Sequence, residues 1–311
     1  MDKMHYLYGP VPSRRLGISL GVSPIPKKTC NYSCVYCQLG RTTNMTNRRD
    51  SFFKLDQIID EFDYIIDKKA KFDVITIVGE GEPTLYSDLG KLILEIKKRT
   101  DKPIAIITNG ALLSSKEVRK ELYNADIVLP TFDAVNDEQY RLINRPIRPL
   151  KYNDMFDGLV EFSKKFKGNL WLEIMLVKGL NDDEKTLAKF KELLKQIKYD
   201  RLYINTPVRP PAEADVEAVE NDIIKKFVDH LNGISIELLV SEGFHSEIKD
   251  DVEAVKSIIK RHPMNQYEIE QFLITRNCPN IYLIMEKLQL DASIENIEYK
   301  GYVTYRFVQN N

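Results

Sequence analysis

The run TCNYSCVYCQLG, residues 29–40, sets Cys30, Cys34 and Cys37 at a C-x3-C-x2-C spacing, with the aromatic Tyr36 just before the last. Thiolates this close in sequence can converge on one soft metal centre from a single loop. Three such ligands are one short of the four that close a zinc site or an iron–sulfur cluster. Structural sites are closed and catalytic sites keep an open position, so the missing fourth ligand points to chemistry. Lys27, Lys28 and Arg41 flank the run and are expected to favour the thiolate form. The competing reading is a zinc knuckle completed by Cys278 or a histidine. Cys278 lies in Asn277-Cys278-Pro279, where Asn277 is expected to cap a helix opening with Cys278 and Pro279, an ordinary packing position.

Outward from the cysteines, strand-like and helix-like stretches alternate from residue 18 to about residue 240. Ile- and Val-rich strands are predicted at Ile18–Val22, Val74–Val78, Ile104–Thr108, Asp126–Phe132, Leu170–Val177 and Arg201–Thr206. Helical spacing appears at Leu55–Lys68, Leu89–Lys98, Asn153–Lys165, Asp183–Ile197 and Asp215–Leu231. Strands each followed by a helix predict a parallel sheet with right-handed crossovers, an α/β architecture. The strings GEGEP, TNG, FDA and NTPVRPP all fall at predicted C-terminal strand ends, where βα barrels place their chemistry.

The sequence resembles the radical S-adenosylmethionine (SAM) superfamily from about Tyr6 to Glu242. Within it, YGPVPSRRLG at Tyr8–Gly17 and GEGEPTL at Gly79–Leu85 look like those of a family of small archaeal and bacterial iron–sulfur oxidoreductases. A more distant likeness is to the archaeal wyosine synthase, which rebuilds a guanine base in transfer RNA. That synthase looks to use two clusters, whereas three cysteines suffice here for one, which sets its particular reaction aside. The resemblance implies a partial (β/α)6 TIM-like barrel over residues 1–245. It also implies a 4Fe-4S cluster on Cys30, Cys34 and Cys37, with SAM on the fourth iron. Reductive cleavage of SAM would then yield a 5′-deoxyadenosyl radical that takes hydrogen from an unactivated carbon. An electron donor such as ferredoxin or flavodoxin is implied as a partner.

Site residues follow motif by motif. Glycine lets backbone approach a ligand, proline fixes a turn, and a carboxylate-bearing turn suits an ammonium group. By resemblance Gly81, Glu82 and Pro83 therefore serve the amino group of SAM, and Glu80 is given no role. Asn109, closing the third strand, offers donor and acceptor together, a plain strand-to-helix turn being the alternative. Asp133 matches a position reaching the ribose or substrate. Glu173, Met175 and Val177–Asp182 resemble the segment that packs on adenine, the alternative being a helix capped by Asn181 or Asp182. Tyr36 joins the cofactor set. No general acid, base or nucleophile stands out, and hydrogen abstraction does not demand one. Arg14, Arg15, Arg145 and Arg209 are candidates for an anionic substrate group, since arginine pairs with carboxylate and phosphate through a planar fork. Surface salt bridges are the alternative.

Net charge is −1, but residues 1–50 carry 8 Lys/Arg against 2 Asp/Glu, about +6 by subtraction. This favours an anionic substrate, RNA or protein, with a transfer-RNA base as the leading expectation. The last stretch reads as three helices, Val252–Arg261, Gln266–Phe272 and Pro279–Leu288, and a hairpin, Ile294–Tyr299 with Tyr302–Phe307. Together they predict a winged-helix module over 246–311. Its 8 Lys/Arg and 9 Asp/Glu from Lys249 onward give no basic footprint, so packing or protein docking is favoured over nucleic-acid reading. A protein- or peptide-modifying enzyme and a non-enzymatic iron–sulfur or zinc winged-helix sensor are the rival readings. With 43% apolar residues, four cysteines, no signal-like start and no membrane-length apolar run, the expectation is a globular cytoplasmic protein that binds no membrane.

Overall fold

Alternation of side chains along the strands decides what each face of the sheet carries. The computed structural model describes residues 5–236, 244, 246, 248–260, 262–299 and 301–308. Among them one sheet runs in the order β1 (Leu7–Ser13), β2 (Gly17–Val22), β3 (Val74–Ile77), β4 (Ile104–Thr108), β5 (Ile127–Pro130), β6 (Asn169–Met175), β7 (Arg201–Asn205) and β8 (Ile234–Ser235). β1 and β2 are antiparallel and every later pair is parallel.

On one face Leu20, Ile75, Ile106, Leu172 and Ile204 share a buried core with Phe62, Leu92, Phe162 and Phe190. Those partners come from helices α1 (Leu55–Asp67), α2 (Leu89–Lys97), α4 (Tyr152–Lys165) and α5 (Glu184–Leu194). α3 (Lys116–Leu122) and α6 (Asn221–Leu231) complete the layer. In α1, Ile58, Phe62 and Ile65 fall on one stripe and are fully buried. Each contributes roughly 1.5–3 kcal/mol, so Phe62→Ala is the change that would loosen this helix most.

On the other face Val74, Ala105, Trp171 and Tyr203 form a smaller cluster at the N-terminal end of the strands. Two residues further along the same strands come Thr76, Ile107, Glu173 and Asn205, which line a cavity. Period-2 alternation thus seals the floor with apolar side chains and opens the C-terminal end to chemistry. Gly21 belongs to this face because a Cβ there would overlap the Tyr8 ring.

Three departures from the predicted elements have physical causes. β1 contains Pro10 and Pro12 and a register shift between Tyr8 and Val11, all tolerated only at a sheet edge. α3 buries just Val118 and Leu122, too few to show periodicity. Residues 215–220 are not helical: Ala218 bridges Val177 and the Val219 N–H donates to Thr206 Oγ1 at 2.9 Å, so α6 starts at Asn221.

At the C-terminus lie α7 (Asp251–Ile259), β9 (Met264–Asn265), α8 (Gln266–Thr275), α9 (Ile281–Leu290), β10 (Ile294–Tyr299) and β11 (Tyr302–Phe307). The strands form an antiparallel sheet in the order β9-β11-β10, its first strand unforeseen in the sequence. α8 opens with a reciprocal cap: Asn265 Oδ1 accepts from Glu268 N and the Glu268 carboxylate accepts from Asn265 N, both at 2.9 Å. Asn277 does not cap a helix. It takes a left-handed φ of 57° after α8, and Asn280 caps α9 instead, accepting from Leu283 N at 3.1 Å. Residue 245, where the sequence ends its first domain, and Lys300 of the hairpin turn lie outside the described residues.

These elements lean on the main sheet. Tyr8 and Val11 of β1 are buried in one cluster with Ile258, Phe272 and Leu273. Tyr299 OH donates to Pro207 O at 2.9 Å and Arg209 Nε to Pro263 O at 2.6 Å. Among the described residues no helix is long and apolar enough to cross a membrane.

Candidate active site

The chain leaves β2 and enters the cysteine loop, where Thr29 and Cys30 pair with Asn44 and Met45 in a short parallel ladder. Two backbone bonds strap this loop to the turn after β3: Lys28 N–H to Glu80 O at 2.5 Å and Glu82 N–H to Thr29 O at 3.0 Å. A Cβ at residue 81 would overlap the Thr29 carbonyl oxygen, so only glycine permits the approach. The two motifs therefore form one unit. Cys30, Cys34 and Cys37 are free thiols on the wall of a cavity of ≈ 400 Å³ that Tyr36, Glu80 and Gly81 also line.

Donors are aimed at two of the sulfurs. Cys30 Sγ accepts from Tyr32 N at 3.4 Å and from Asn109 Nδ2 at 3.6 Å, and Cys34 Sγ accepts from Asn144 Nδ2 at 3.6 Å. Asn109 is itself held, with Nδ2 donating to Asn31 Oδ1 at 2.7 Å and Oδ1 accepting from Ala111 N at 2.9 Å. The expected help from basic neighbours is not what governs the thiols. Burial, reinforced by the nearby Glu82 carboxylate, pushes Cys30 up to about 12; burial also raises Cys34 and Cys37, against a pull on Cys37 from Lys28. Arg41 is spent on Glu213 at 2.6 Å, and Lys27 lies 5.3 Å from the centre of the Phe307 ring.

Glu82 is 2% exposed and turned into the wall. Its Oε1 accepts from Thr84 N, Thr84 Oγ1 and Thr108 Oγ1 at 3.0, 2.5 and 2.6 Å, and its Oε2 from Asn109 N at 2.8 Å. Burial raises its pKa while these bonds oppose the rise. Pro83 follows it as the first residue of a 3-10 turn. Asp133 stands behind Cys34 in the same manner. It accepts from Tyr36 OH, from Asn144 Nδ2 at 2.8 Å and from Met175 N at 2.8 Å, and burial pushes it up to about 6. Tyr36 thus reaches the cavity itself, whereas Glu82, Pro83, Asn109 and Asp133 stand behind its lining.

Glu173 faces the cavity and pairs with Arg15, while its other oxygen accepts from Asn205 Nδ2 at 3.3 Å. Burial lowers Arg15 to about 10. Arg14, Arg15 and Arg209 line the cavity, and Arg145 does not. Arg145 has a left-handed φ of 45° and an exposed side chain that joins Arg41 on Glu213 at 2.6 Å. In the segment after β6, Asn181 is fully buried. It ties Asp133 O and Met175 O at 2.8 and 2.9 Å instead of capping a helix, and Asp183 caps α5.

Asn144, Asn31 and His262 have places here that the sequence did not signal. Lys28, next to the cysteine run, did carry a hint. Among the described residues no three His, Cys, Asp or Glu side chains gather where one metal ion would bind, and Cys278 packs in the C-terminal cluster. A multinuclear cluster needs thiols around a void, and three on the wall of one cavity fit that requirement.

Residues 25–190 match the Radical SAM superfamily. The chain belongs to that superfamily and, within it, to the UPF0026 family: it is 36% identical over 313 residues to the UPF0026 protein MJ1312 of Methanocaldococcus jannaschii, across 97% of this chain and 96% of that one. It is also 42% identical over 224 residues to a Brachyspira hyodysenteriae protein named GTPase Obg; this covers 72% of the chain but spans only 33% of that relative's length. Among solved structures it resembles TYW1 with a lysine-pyruvate adduct bound (TM-score 0.51, 18% identity, 70% of this chain and 74% of that one). A similar likeness is to anSMEcpe with bound AdoMet (TM-score 0.51, 20% identity, 69% and 57%). Both are likenesses of fold. The superfamily uses a 4Fe-4S cluster and SAM, and the cavity with its three thiols suits that pair.

Proposed function

We propose that this chain is a radical SAM enzyme acting on an anionic substrate that enters the cavity opposite its cysteines. Bound there, the cluster and SAM supply hydrogen-atom abstraction from an unactivated carbon. The chain's own residues do the rest. Cys30, Cys34 and Cys37 hold the cluster; Tyr36 and the Gly81–Pro83 turn flank SAM, with Asn109, Asp133 and Glu173 as its further contacts or supports. The observation that carries the anionic substrate is Arg14: it lines the same cavity as the cysteines and has no hydrogen-bond or ion-pair partner among the described residues.

Transfer-RNA base modification is the substrate reading we favour, on the strength of the basic N-terminal stretch, of which Arg14, Arg15 and Lys28 reach the cavity. Modification of a protein or peptide is the second. It draws on the C-terminal elements, read as a winged-helix module over 246–311 beside a partial-barrel core over 1–245. That module presents Tyr282 and Leu290 at 90% and 78% exposure, and its sequence is near neutral in charge. The same near-neutral charge counts against a DNA-binding sensor. A cytoplasmic setting with a ferredoxin or flavodoxin donor completes the proposal. Anaerobic assay for 5′-deoxyadenosine after reconstitution tests the enzyme, and capture of RNA against protein over a salt series tests the substrate. RNA capture falls steeply with salt because phosphate contacts release counterions. Salt-insensitive capture of a protein would favour the second reading, and no SAM binding at all would end both.

A further inference from the structure

Positive charge gathers on one part of the cavity wall. Three guanidiniums, Arg14, Arg15 and Arg209, line it together with His262. Two of them are committed. Arg15 pairs with Glu173, and Arg209 reaches Glu268 at 3.3 Å while donating through Nε to Pro263 O at 2.6 Å. Arg209 Nη2 also lies 2.8 Å from His262 Nε2. A guanidinium only donates, so that ring nitrogen accepts and the imidazole is neutral with its proton on Nδ1. Burial and the charges of Arg209, Arg14 and Arg15 hold His262 well below its usual pKa, which keeps it in that state. Among the described residues two carboxylates, Glu173 and Glu268, are paired with these three guanidiniums. Of the three, Arg14 has no hydrogen-bond or ion-pair partner among the described residues, and its charge is felt by Arg15, Arg209 and His262 alike.

We propose that Arg14, set between Arg15 and Arg209, is the recognition point for a single oxyanion of the substrate, a phosphate or a carboxylate, and that the C-terminal elements are a working wall of that site. The inference rests on the reading that the cavity beside the cysteines receives the substrate. Arg209 comes from the loop after β7, and Pro263, His262 and Glu268, at the start of β9 and α8, fix its plane. Tyr299, on β10, grips the same loop at Pro207 O. The C-terminal elements therefore act on the substrate's anion through the orientation of Arg209, and His262 and Glu268 are positioning residues.

The test uses the full chain, anaerobically reconstituted and saturated with SAM, titrated calorimetrically with inorganic phosphate and separately with acetate. One anion should bind per chain. Tighter phosphate assigns a phosphorylated substrate and tighter acetate a carboxylated one; either upholds the site. Arg14→Gln should weaken binding about tenfold or more, the loss of a charge-assisted pair. Arg14→Lys, which keeps the charge and loses the fork, should weaken it less. Lys91→Gln, on the exposed side of α2, should leave it unchanged. In hydrogen exchange the anion should protect residues near Arg14 and also residues 262–268. Protection confined to the first region would remove the C-terminal elements from the site. Absence of anion binding, indifference to Arg14→Gln, or one-for-one displacement of phosphate by SAM would each overturn the proposal, the last by giving Arg14 to the cofactor's own carboxylate. Failure to bind SAM with anion binding intact would instead count against the enzyme reading alone.

Discussion

The two ends of the cavity are built in different ways. At the cysteine end, the loop after β2 and the turn after β3 are strapped by backbone hydrogen bonds, and Asn109 and Asn144 direct amides at cysteine sulfurs. At the arginine end the fixing contacts are side-chain ion pairs and carbonyls drawn from β1–β2, β6, the loop after β7 and the C-terminal elements. Backbone straps tolerate almost no change in side-chain volume at the crossing, whereas side-chain pairs can be re-formed with other partners.

The most damaging single change at the cysteine end falls at Gly81. Gly81→Ala drives a methyl group into the Thr29 carbonyl, with no flexible side chain to give way. A loss of about 3 kcal/mol in urea unfolding is expected, together with loss of iron after reconstitution, while phosphate binding survives in whatever remains folded. Arg209→Ala should cost about 2 kcal/mol, because it leaves Pro263 O without its donor and Glu268 without its cation. Its hydrogen-exchange signature should be faster exchange at 262–268 with cluster assembly unchanged.

A smaller effect sharpens the cysteine end. Asn144→Leu removes the amide donated to Cys34 Sγ and to Asp133. Donors to sulfur stabilise the more negative, reduced cluster, so the midpoint potential should fall by about 40 mV, equivalent to one hydrogen bond of about 1 kcal/mol. The smallest effect lies within the C-terminal elements, where Lys256 meets Asp291 at 2.6 Å. Hydrogen bonds from Lys256 and Ser293 lower Asp291 to about 2. A depressed carboxylate stabilises the fold above its ordinary pKa and loses that contribution as pH falls toward the folded value. Lys256→Met should therefore lower stability by about 0.5 kcal/mol at pH 7, a partly solvated pair, and thermal melts should show the difference shrinking near pH 2.

Legibility in the sequence followed the same division. The cysteine run, the Gly-Glu-Pro turn, the six central strands and the C-terminal hairpin could be read because each is fixed by local spacing or by period-2 and period-3.6 patterns. β1 was hidden by its prolines, and β8 by being two residues long. Side-chain direction was harder. Glu82 and Glu80 sit two apart in one turn, yet the first is saturated by Thr84, Thr108 and Asn109 inside the wall while the second lines the cavity. Arg145 and Arg209 both stand beside prolines, but Arg209 follows a strand, whereas Arg145 ends the helical stretch 137–144 with a left-handed backbone and reaches Glu213. His262 and Asn144 owe their places to contacts across long stretches of chain, for which a sequence motif carries no sign.

Whether three cysteines hold a cluster to which SAM binds is read out by anaerobic reconstitution of the full chain followed by iron analysis and electron paramagnetic resonance. About four iron atoms per chain are expected, lost in Cys34→Ala while the protein stays folded, with a reduced-cluster signal that changes shape when SAM is added. One zinc per chain, unfolding on Cys34→Ala, or a cluster signal indifferent to SAM would contradict a SAM-binding cluster.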